Sequence, residues 1–197
     1  MEKYWPVPGS YCHETPKNGT RGAFWECRKD RYHCGIDISA PIDSPVLAIE
    51  NGVLIGIGEF SSPKILPYWN QTYFILIKNE DGRISKYAEL GNIFVEKGEE
   101  VKTGQLIGLV GQVLNPDKID ASSPEYVQIL KMNHNCSMLH FELYETIPLD
   151  CKKYLGGNWF DSRRPVGLLD PTEYLEFEYC HEEKHHGNQK CQDNSHS

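Results

Sequence analysis

Residues 33–58 read HCGIDISAPIDSPVLAIENGVLIGIG, and more of the architecture can be inferred from this stretch than from any other. Short runs rich in Val, Ile and Leu occupy 46–49 and 52–58, and Glu50-Asn51-Gly52 separates them as a turn signal. Similar runs follow along the chain, at 72–78, 83–90, 93–95, 106–110 and 138–144. Short strands at this spacing predict a mainly β chain, built as an antiparallel sheet, a sandwich or a partial barrel.

The rest of the chain is predicted to be mostly irregular. The stretch 124–132 predicts one helix, with Ser122 or Ser123 as its N-cap. The stretch 155–170 contains Gly, Trp and Pro and reads as loop. Long loops are expected at 59–71, 112–135 and 145–169, and loops of this length usually wall a functional site or are mobile.

The chain is expected to divide into three regions. Residues 1–32 are predicted to be an irregular segment that packs on the domain formed by 33–175. Residues 176–197 form a polar tail with four of the eight histidines, which we expect to be disordered. The alternative for the tail is a second metal site, formed with Cys180 and Cys191.

A first pair of candidate metal ligands opens the quoted stretch. His33 and Asp37 are four residues apart, so they face the same side of an extended chain. Imidazole and carboxylate are both good ligands for Zn²⁺. Taken alone, however, such a pair is usually no more than a surface histidine and a surface aspartate.

A third candidate ligand lies in the run MLHFEL at 138–143. Strand alternation places Leu139, Phe141 and Leu143 on the core side of this strand. His140 then faces a groove or cavity on the other side. Taken alone, a histidine in an apolar strand is usually a satisfied core residue, so this position gains meaning only in combination with others.

Together these segments resemble one known family. The stretch 33–58, the Tyr-x-x-Leu strand at 87–90, the Gly-rich turns at 98–111, the LHFEL strand at 139–143 and the DPTEYL ending at 170–175 follow the order found in lysostaphin/LytM-type zinc endopeptidases. The resemblance covers 33–111 and 138–175. It implies the duplicated hybrid motif fold, a β-rich barrel-sandwich with long loops, and a hydrolase that cleaves cell-wall (peptidoglycan) or Gly/Ala-rich peptides.

The resemblance also implies a set of site residues. The family's metal ligands correspond to His33, Asp37 and His140, which would hold one Zn²⁺ and leave one coordination position open. Two further family histidines, which orient or deprotonate water and stabilise the oxyanion, are replaced here by Glu89 and Met138. Methionine can do neither, and the loss of a general base or an oxyanion donor costs roughly 10²–10⁴ in rate for each.

Two residues are candidates to take over this chemistry. Glu89 could act as the general base, as a glutamate does in His-Glu-x-x-His proteases; it could instead bind the zinc directly, or do neither. His134, in the loop before the LHFEL strand, could swing in to supply an imidazole, or be a surface histidine. Four aromatic side chains in the long loops could wall a peptide groove or anchor the loops: Tyr68, Trp69, Trp159 and Phe160.

The main hypothesis from the sequence is a zinc metalloendopeptidase-like domain whose activity is weak or lost, so that its status as an enzyme is open. The alternative is a non-catalytic, zinc-containing module that binds a peptide or regulates a partner. A third hypothesis is a biotinyl/lipoyl carrier domain, in which glycine-containing turns have a spacing similar to that at 98–111. It is disfavoured because no modifiable lysine stands at a tight hairpin tip there.

Composition excludes several other classes of function. The formal net charge is −8, so the chain lacks the basic footprint that nucleic-acid binding needs. No apolar run approaches the roughly 20 residues of a membrane helix. The start MEKYWPVPG has no apolar core of a secretory signal. We therefore expect a protein that stays in the cytoplasm, leaves by a non-standard route, or lacks its leader in this sequence. Nothing indicates an oligomeric state.

The seven cysteines do not settle the redox state. An odd number cannot all pair within one chain. Free thiols are favoured because no export signal is visible. Cys34 and Cys136 flank the metal residues and either pair as a disulfide or remain as buried thiols.

Overall fold

The structure is a computed structural model that describes residues 3–146 and 151–176. The predictions for 177–197, including the His-rich tail, lie outside these residues, as do residues 147–150 within the predicted loop at 145–169. In the part of the chain that is described, no helix has the length and apolar character needed to cross a membrane.

The described residues form twelve β-strands and two α-helices, with 3₁₀ turns at Pro116–Lys118 and Cys151–Lys153. The strands are β1 (Tyr32–His33), β2 (Ile36–Ser39), β3 (Pro45–Leu47), β4 (Gly52–Ser61), β5 (Thr72–Asn79), β6 (Ile84–Ile93), β7 (Glu100–Val101), β8 (Leu106–Val110), β9 (Met138–Tyr144), β10 (Tyr154–Leu155), β11 (Asn158–Trp159) and β12 (Leu168–Leu169). The helices are α1 (Glu125–Met132) and α2 (Thr172–Leu175).

The strands form one large sheet and one small sheet, and the pairings between them are antiparallel. The large sheet follows the order β12-β9-β6-β5-β4-β7, with β2 beside β9, and β8 joining β6 to β3. The small sheet has the order β1-β11-β10. The predicted mainly β, antiparallel architecture is confirmed, but the described strands form an open, branched sheet rather than a closed barrel.

The large sheet branches at β6. The first half of this strand, 84–88, pairs with β9, and its second half pairs with β8. Glu89 lies at the branch with a φ of 65°, in the left-handed region that non-glycine residues rarely adopt. The pairing with β5 shifts register at the same point, between Tyr73 and Phe74. Glu89 is therefore the extra residue of a β-bulge, a feature that re-aims a side chain.

The hydrophobic core lies against β9. Leu139, Phe141 and Leu143 are at most 1% exposed, which confirms the predicted core side of this strand. The segment before β1 contributes to the same core through Trp5 and Phe24. Although this segment is irregular in sequence, it is packed against the sheet.

Three local predictions differ from the structure. The separate strand expected at 93–95 is absent, because β6 continues to Ile93. The stretch 155–170, expected as loop, contributes to three short strands. Helix α1 forms where predicted, but Pro124 rather than a serine occupies the N-cap position. The reason is that the Ser123 hydroxyl accepts the backbone N–H of Asp120 in the preceding turn, at 3.2 Å.

The cysteines are in mixed states. Cys27, Cys34 and Cys136 are free thiols, which confirms the expectation for these three. Cys12 is disulfide-bonded, so the expectation of free thiols is wrong there. Burial raises the pKa of the Cys34 thiol well above its ordinary value, and such a buried thiol is chemically inert.

Candidate metal centre

Three side chains from three strands converge on one point. His33 ends β1, Asp37 lies in β2, and His140 lies directly opposite Asp37 on the paired strand β9. His33 Nε2 lies 3.0 Å from Asp37 Oδ1 and 3.0 Å from His140 Nδ1. The distance from His140 Nδ1 to Asp37 Oδ1 is 2.8 Å. The three residues predicted as ligands are thus brought together as one group.

The outer nitrogen of each ring is held by a fixed acceptor. His33 Nδ1 lies 2.9 Å from the carbonyl oxygen of Ala23, which can only accept, so Nδ1 carries the proton and Nε2 presents its lone pair. His140 Nε2 donates to Oε1 of Glu142 at 2.7 Å. Metal-binding histidines commonly have their second nitrogen bound to a carbonyl or carboxylate in this way, because that contact fixes the tautomer and the ring orientation.

The donor atoms fit a small divalent cation. A tetrahedral Zn²⁺ with bonds of about 2.0–2.1 Å places its ligand atoms about 3.3 Å apart, close to the 2.8–3.0 Å found here. Burial opposes charge on His140, but its hydrogen bonds to Asp37 and Glu142 prevail and raise its pKa to about 9. In the metal-free protein a proton therefore supplies the positive charge at this point. A metal ion would take its place.

Glu142 lies at the centre of a buried polar network. Its side chain is fully buried, and it accepts hydrogen bonds from the hydroxyls of Tyr144 and Tyr154 as well as from His140. The ammonium of Lys86 lies 3.3 Å from Oε2. Burial would raise the pKa of Glu142, but Lys86 and His140 outweigh it and lower that pKa. A fixed carboxylate therefore lies behind the His140 ring.

Arg28 binds the other side of Asp37. Its Nη2 donates to Asp37 Oδ2 at 3.0 Å, while Oδ1 faces the two histidines. Its Nε donates to Glu26 at 3.0 Å, and its Nη1 donates to Asn158 at 3.2 Å. The guanidinium carbon lies 5.2 Å from the centroid of the Tyr126 ring. Arg28 and Ala23 were missed from the sequence, because both lie in the irregular segment, where no periodic pattern indicates contacts.

A cavity beside the centre contains Glu89. Arg28, Asp37, Glu89, Met138 and His140 line it together with the apolar residues Phe60, Trp69, Val113, Leu114 and Leu130. Glu89 is 8% exposed, and within the described part of the chain its Oε2 has no hydrogen-bond partner. Burial and the charge of Asp37 raise the pKa of Glu89 to about 8. Glu89 does not belong to the group of three candidate metal ligands.

The other predicted site residues occupy different places. His134 is exposed just beyond the C-terminus of α1 and is not among the residues that line this cavity. Trp69 is a wall of the cavity, and Tyr68 contacts its ring edge-on. Trp159 is buried in β11, and Phe160 packs under the guanidinium of Arg31. Of the four aromatic residues, Trp69 thus lines the cavity, whereas Trp159 and Phe160 pack elsewhere.

A mainly β domain with a His–Asp–His group beside a cavity is the arrangement that the resemblance to lysostaphin/LytM-type metallopeptidases implies. Comparison with known families gives the same result. The profile of peptidase family M23 matches residues 31–150, and the chain belongs to this family.

The individual relatives that match have low sequence identity to this chain. The uncharacterized lipoprotein YgeR of Escherichia coli is 29% identical over 152 residues, covering 77% of this chain and 50% of the relative. An uncharacterized metalloprotease of Buchnera aphidicola is 34% identical over 84 residues, which are 43% of this chain and 20% of the relative. The chain thus spans half or less of these relatives. Lysostaphin from Staphylococcus simulans shares the fold, with a TM-score of 0.50 and 21% identity over 88% of this chain and 55% of that one.

Proposed function

We propose that this domain is a zinc-dependent peptidase that hydrolyses peptides of the peptidoglycan type, with His33, Asp37 and His140 as ligands of one Zn²⁺ and Glu89 as general base. The observation that carries the proposal is the triangle of three ligand atoms, 2.8–3.0 Å apart, beside a cavity with a buried carboxyl group. The three residues would hold the ion, which would act there as a Lewis acid that polarises a peptide carbonyl and lowers the pKa of bound water towards about 7.

Glu89 is suited to accept a proton. Its Oε2 has no partner in the described part of the chain, and the residue lines the small cavity beside the candidate ligands, where a water molecule would fit. A general base works best when its pKa is near the operating pH. The pKa of Glu89 is about 8 in the metal-free protein, and a nearby divalent cation lowers it. Glu89 is then ionised near neutral pH, and its place outside the ligand group favours the role of base over that of ligand.

The substrate class is inferred from the family. Membership of peptidase family M23 supports peptide-bond hydrolysis. The cavity beside the candidate ligands has a volume of about 40 Å³ and a few convergent polar groups, so it has room for the water molecule that would attack the peptide. Cell-wall or Gly/Ala-rich peptides are therefore the first substrates to test.

A second candidate function rests on Met138. This residue is 3% exposed and lines the same cavity, at the position where the resemblance places a family histidine. A thioether cannot donate a hydrogen bond to an oxyanion. The alternative is therefore a zinc-containing module that binds a peptide, or regulates a partner, without cleaving it.

The experiment measures bound zinc per chain and cleavage of pentaglycine and peptidoglycan-derived peptides. The unsubstituted protein, Glu89→Gln and His140→Ala are compared, with His13→Ala as a matched control because His13 is an exposed histidine. The proposal expects one zinc per chain, loss of zinc in His140→Ala, and zinc without cleavage in Glu89→Gln. Zinc with peptide binding but no cleavage by the unsubstituted protein supports the binding module instead.

Two further variants separate the remaining possibilities. Glu89→His combined with Met138→His restores the two family histidines and should create or raise cleavage; background activity with zinc still bound would contradict the assignment of those two positions. His134→Ala tests the sequence-based role of His134. A loss of cleavage in this variant would mean that the loop reaches the cavity.

A further inference from the structure

We propose that Arg28 is a positioning residue that confines Asp37 to a single oxygen as a metal ligand and thereby keeps one coordination position free. This inference rests on the proposed function, because it concerns the same metal centre. It assigns a role to a residue that is neither one of the three ligands nor the proposed general base.

The two carboxylate oxygens of Asp37 have different partners. Oδ1 lies 2.8 Å from His140 Nδ1 and 3.0 Å from His33 Nε2, so it belongs to the ligand triangle. Oδ2 accepts from Arg28 Nη2 at 3.0 Å. A carboxylate can bind a metal through one oxygen or through both. The oxygen that is engaged by the guanidinium is withheld from the metal.

The guanidinium of Arg28 is held in this position by burial and by several contacts. Arg28 is 10% exposed at its side chain, and three of its nitrogens donate in three directions, to Glu26, Asp37 and Asn158. The Tyr126 ring packs against it from α1. The partners come from the N-terminal segment, β2, β11 and α1, so the whole site fixes the orientation. A planar guanidinium donates in fixed directions, which a lysine ammonium does not.

The contact between Arg28 and Asp37 has a consequence for the coordination of the metal. Three protein ligands that each use one atom leave the fourth position of a tetrahedral site open, which is the pattern of catalytic rather than structural zinc. A second oxygen from Asp37 would compete for that position. Withholding Oδ2 therefore keeps the metal accessible from the cavity.

The test uses Co²⁺ in place of zinc, because the visible absorption of Co²⁺ reports its coordination number. Four-coordinate Co²⁺ absorbs strongly, and five- or six-coordinate Co²⁺ absorbs several-fold more weakly. The full chain is loaded with Co²⁺, and the spectrum per bound metal is compared with those of Arg28→Met and Arg28→Lys. Arg31→Met is the matched control, because Arg31 comes from the same segment but pairs with Asp30 and packs on Phe160.

The inference expects a strong, four-coordinate spectrum in the unsubstituted protein and in Arg31→Met. Arg28→Met should lose several-fold of this absorption, and Arg28→Lys, which can still donate to Oδ2, should retain most of it. An unchanged spectrum in Arg28→Met overturns the inference and leaves the proposed function standing. If Arg28→Met does not fold, the unsubstituted protein still decides, since a five- or six-coordinate spectrum there overturns the inference. Failure of the unsubstituted protein to bind Co²⁺ overturns both.

Discussion

His140 and Glu142 lie two positions apart on one strand, and the ring of the first donates to the carboxylate of the second at 2.7 Å. This contact turns the imidazole along the strand, so that its other nitrogen faces Asp37 on the neighbouring strand. The direction of a candidate metal ligand is thus set by a residue of its own strand.

Replacing Glu142 by glutamine should weaken zinc binding. The amide has nearly the same shape but no charge, so it no longer supports the basicity and orientation of His140. Loss of such a partner typically costs about 10–100-fold in metal affinity. Competition with a chelator measures the effect, and Glu145→Gln, an exposed residue just beyond β9, is the control. Equal zinc affinities in the two variants would contradict the assigned role.

Replacing Lys86 by methionine should destabilise the fold. Lys86 is 6% exposed, and its ammonium lies 3.3 Å from the fully buried carboxylate of Glu142. Removal of one partner from a buried ion pair leaves an uncompensated charge and costs about 3–5 kcal/mol of unfolding free energy. Urea unfolding measures this cost. Lys153→Met is the matched control, because its ion pair with Asp161 is largely solvent-exposed and should contribute little.

Replacing Gly157 by alanine should disturb the metal centre itself. A Cβ atom at this position would lie 2.6 Å from Cε1 and 2.7 Å from Nε2 of His140, and the φ of 75° already disfavours a side chain. Gly82→Ala is the control, because its φ is 88° but nothing lies within 4 Å of the added atom. Both variants should lose stability from backbone strain, whereas only Gly157→Ala should lose bound zinc. Full zinc occupancy in Gly157→Ala would show that the added methyl group does not displace the His140 ring from the metal centre.

Replacing Glu89 by glutamine should change how stability depends on pH. In the folded, metal-free protein the pKa of Glu89 is about 8, above its ordinary value of 4.5. As the pH rises, the unfolded chain releases the carboxyl proton near pH 4.5, whereas the folded chain keeps it up to about pH 8. The stabilising contribution of protonated Glu89 is therefore full below about pH 4.5 and is lost as the pH rises to about 8. Glutamine does not titrate.

The difference in unfolding free energy between Glu89→Gln and the unsubstituted protein should therefore move in favour of the variant between pH 4.5 and 8. Urea unfolding in the presence of a chelator at several pH values measures it. A difference that does not depend on pH would contradict the raised pKa. Zinc should reduce the pH dependence, because its charge lowers the pKa of the carboxyl group.

The sequence predicted the parts of the site that follow from strand periodicity. Alternation along β9 separated Leu139, Phe141 and Leu143 from His140, and the spacing of His33 and Asp37 placed both on one side of the chain. The ligand group could be assembled from these patterns together with the family resemblance. The bulge at Glu89 was not predictable in this way, because it arises from pairing with β5, β8 and β9 at once.

The contacts of Arg28 could not be predicted from the sequence either, since they depend on where an irregular segment packs. The same holds for the buried charge pair of Lys86 and Glu142. Strand alternation puts Glu142 on the same side of β9 as His140, but its burial depends on side chains that lie elsewhere in the sequence, among them Tyr154. Tertiary packing, rather than local pattern, decides such positions.

The hydrogen bond from His33 to the carbonyl of Ala23 has a practical consequence for any truncated version of this protein. The family match begins at residue 31, yet two groups that hold the centre, the Ala23 carbonyl and the Arg28 guanidinium, lie upstream of it. A fragment that begins at residue 31 would keep the three candidate ligands but lose the two groups that orient His33 and Asp37. The structural unit of this peptidase-like domain therefore starts earlier than the residues that match the family.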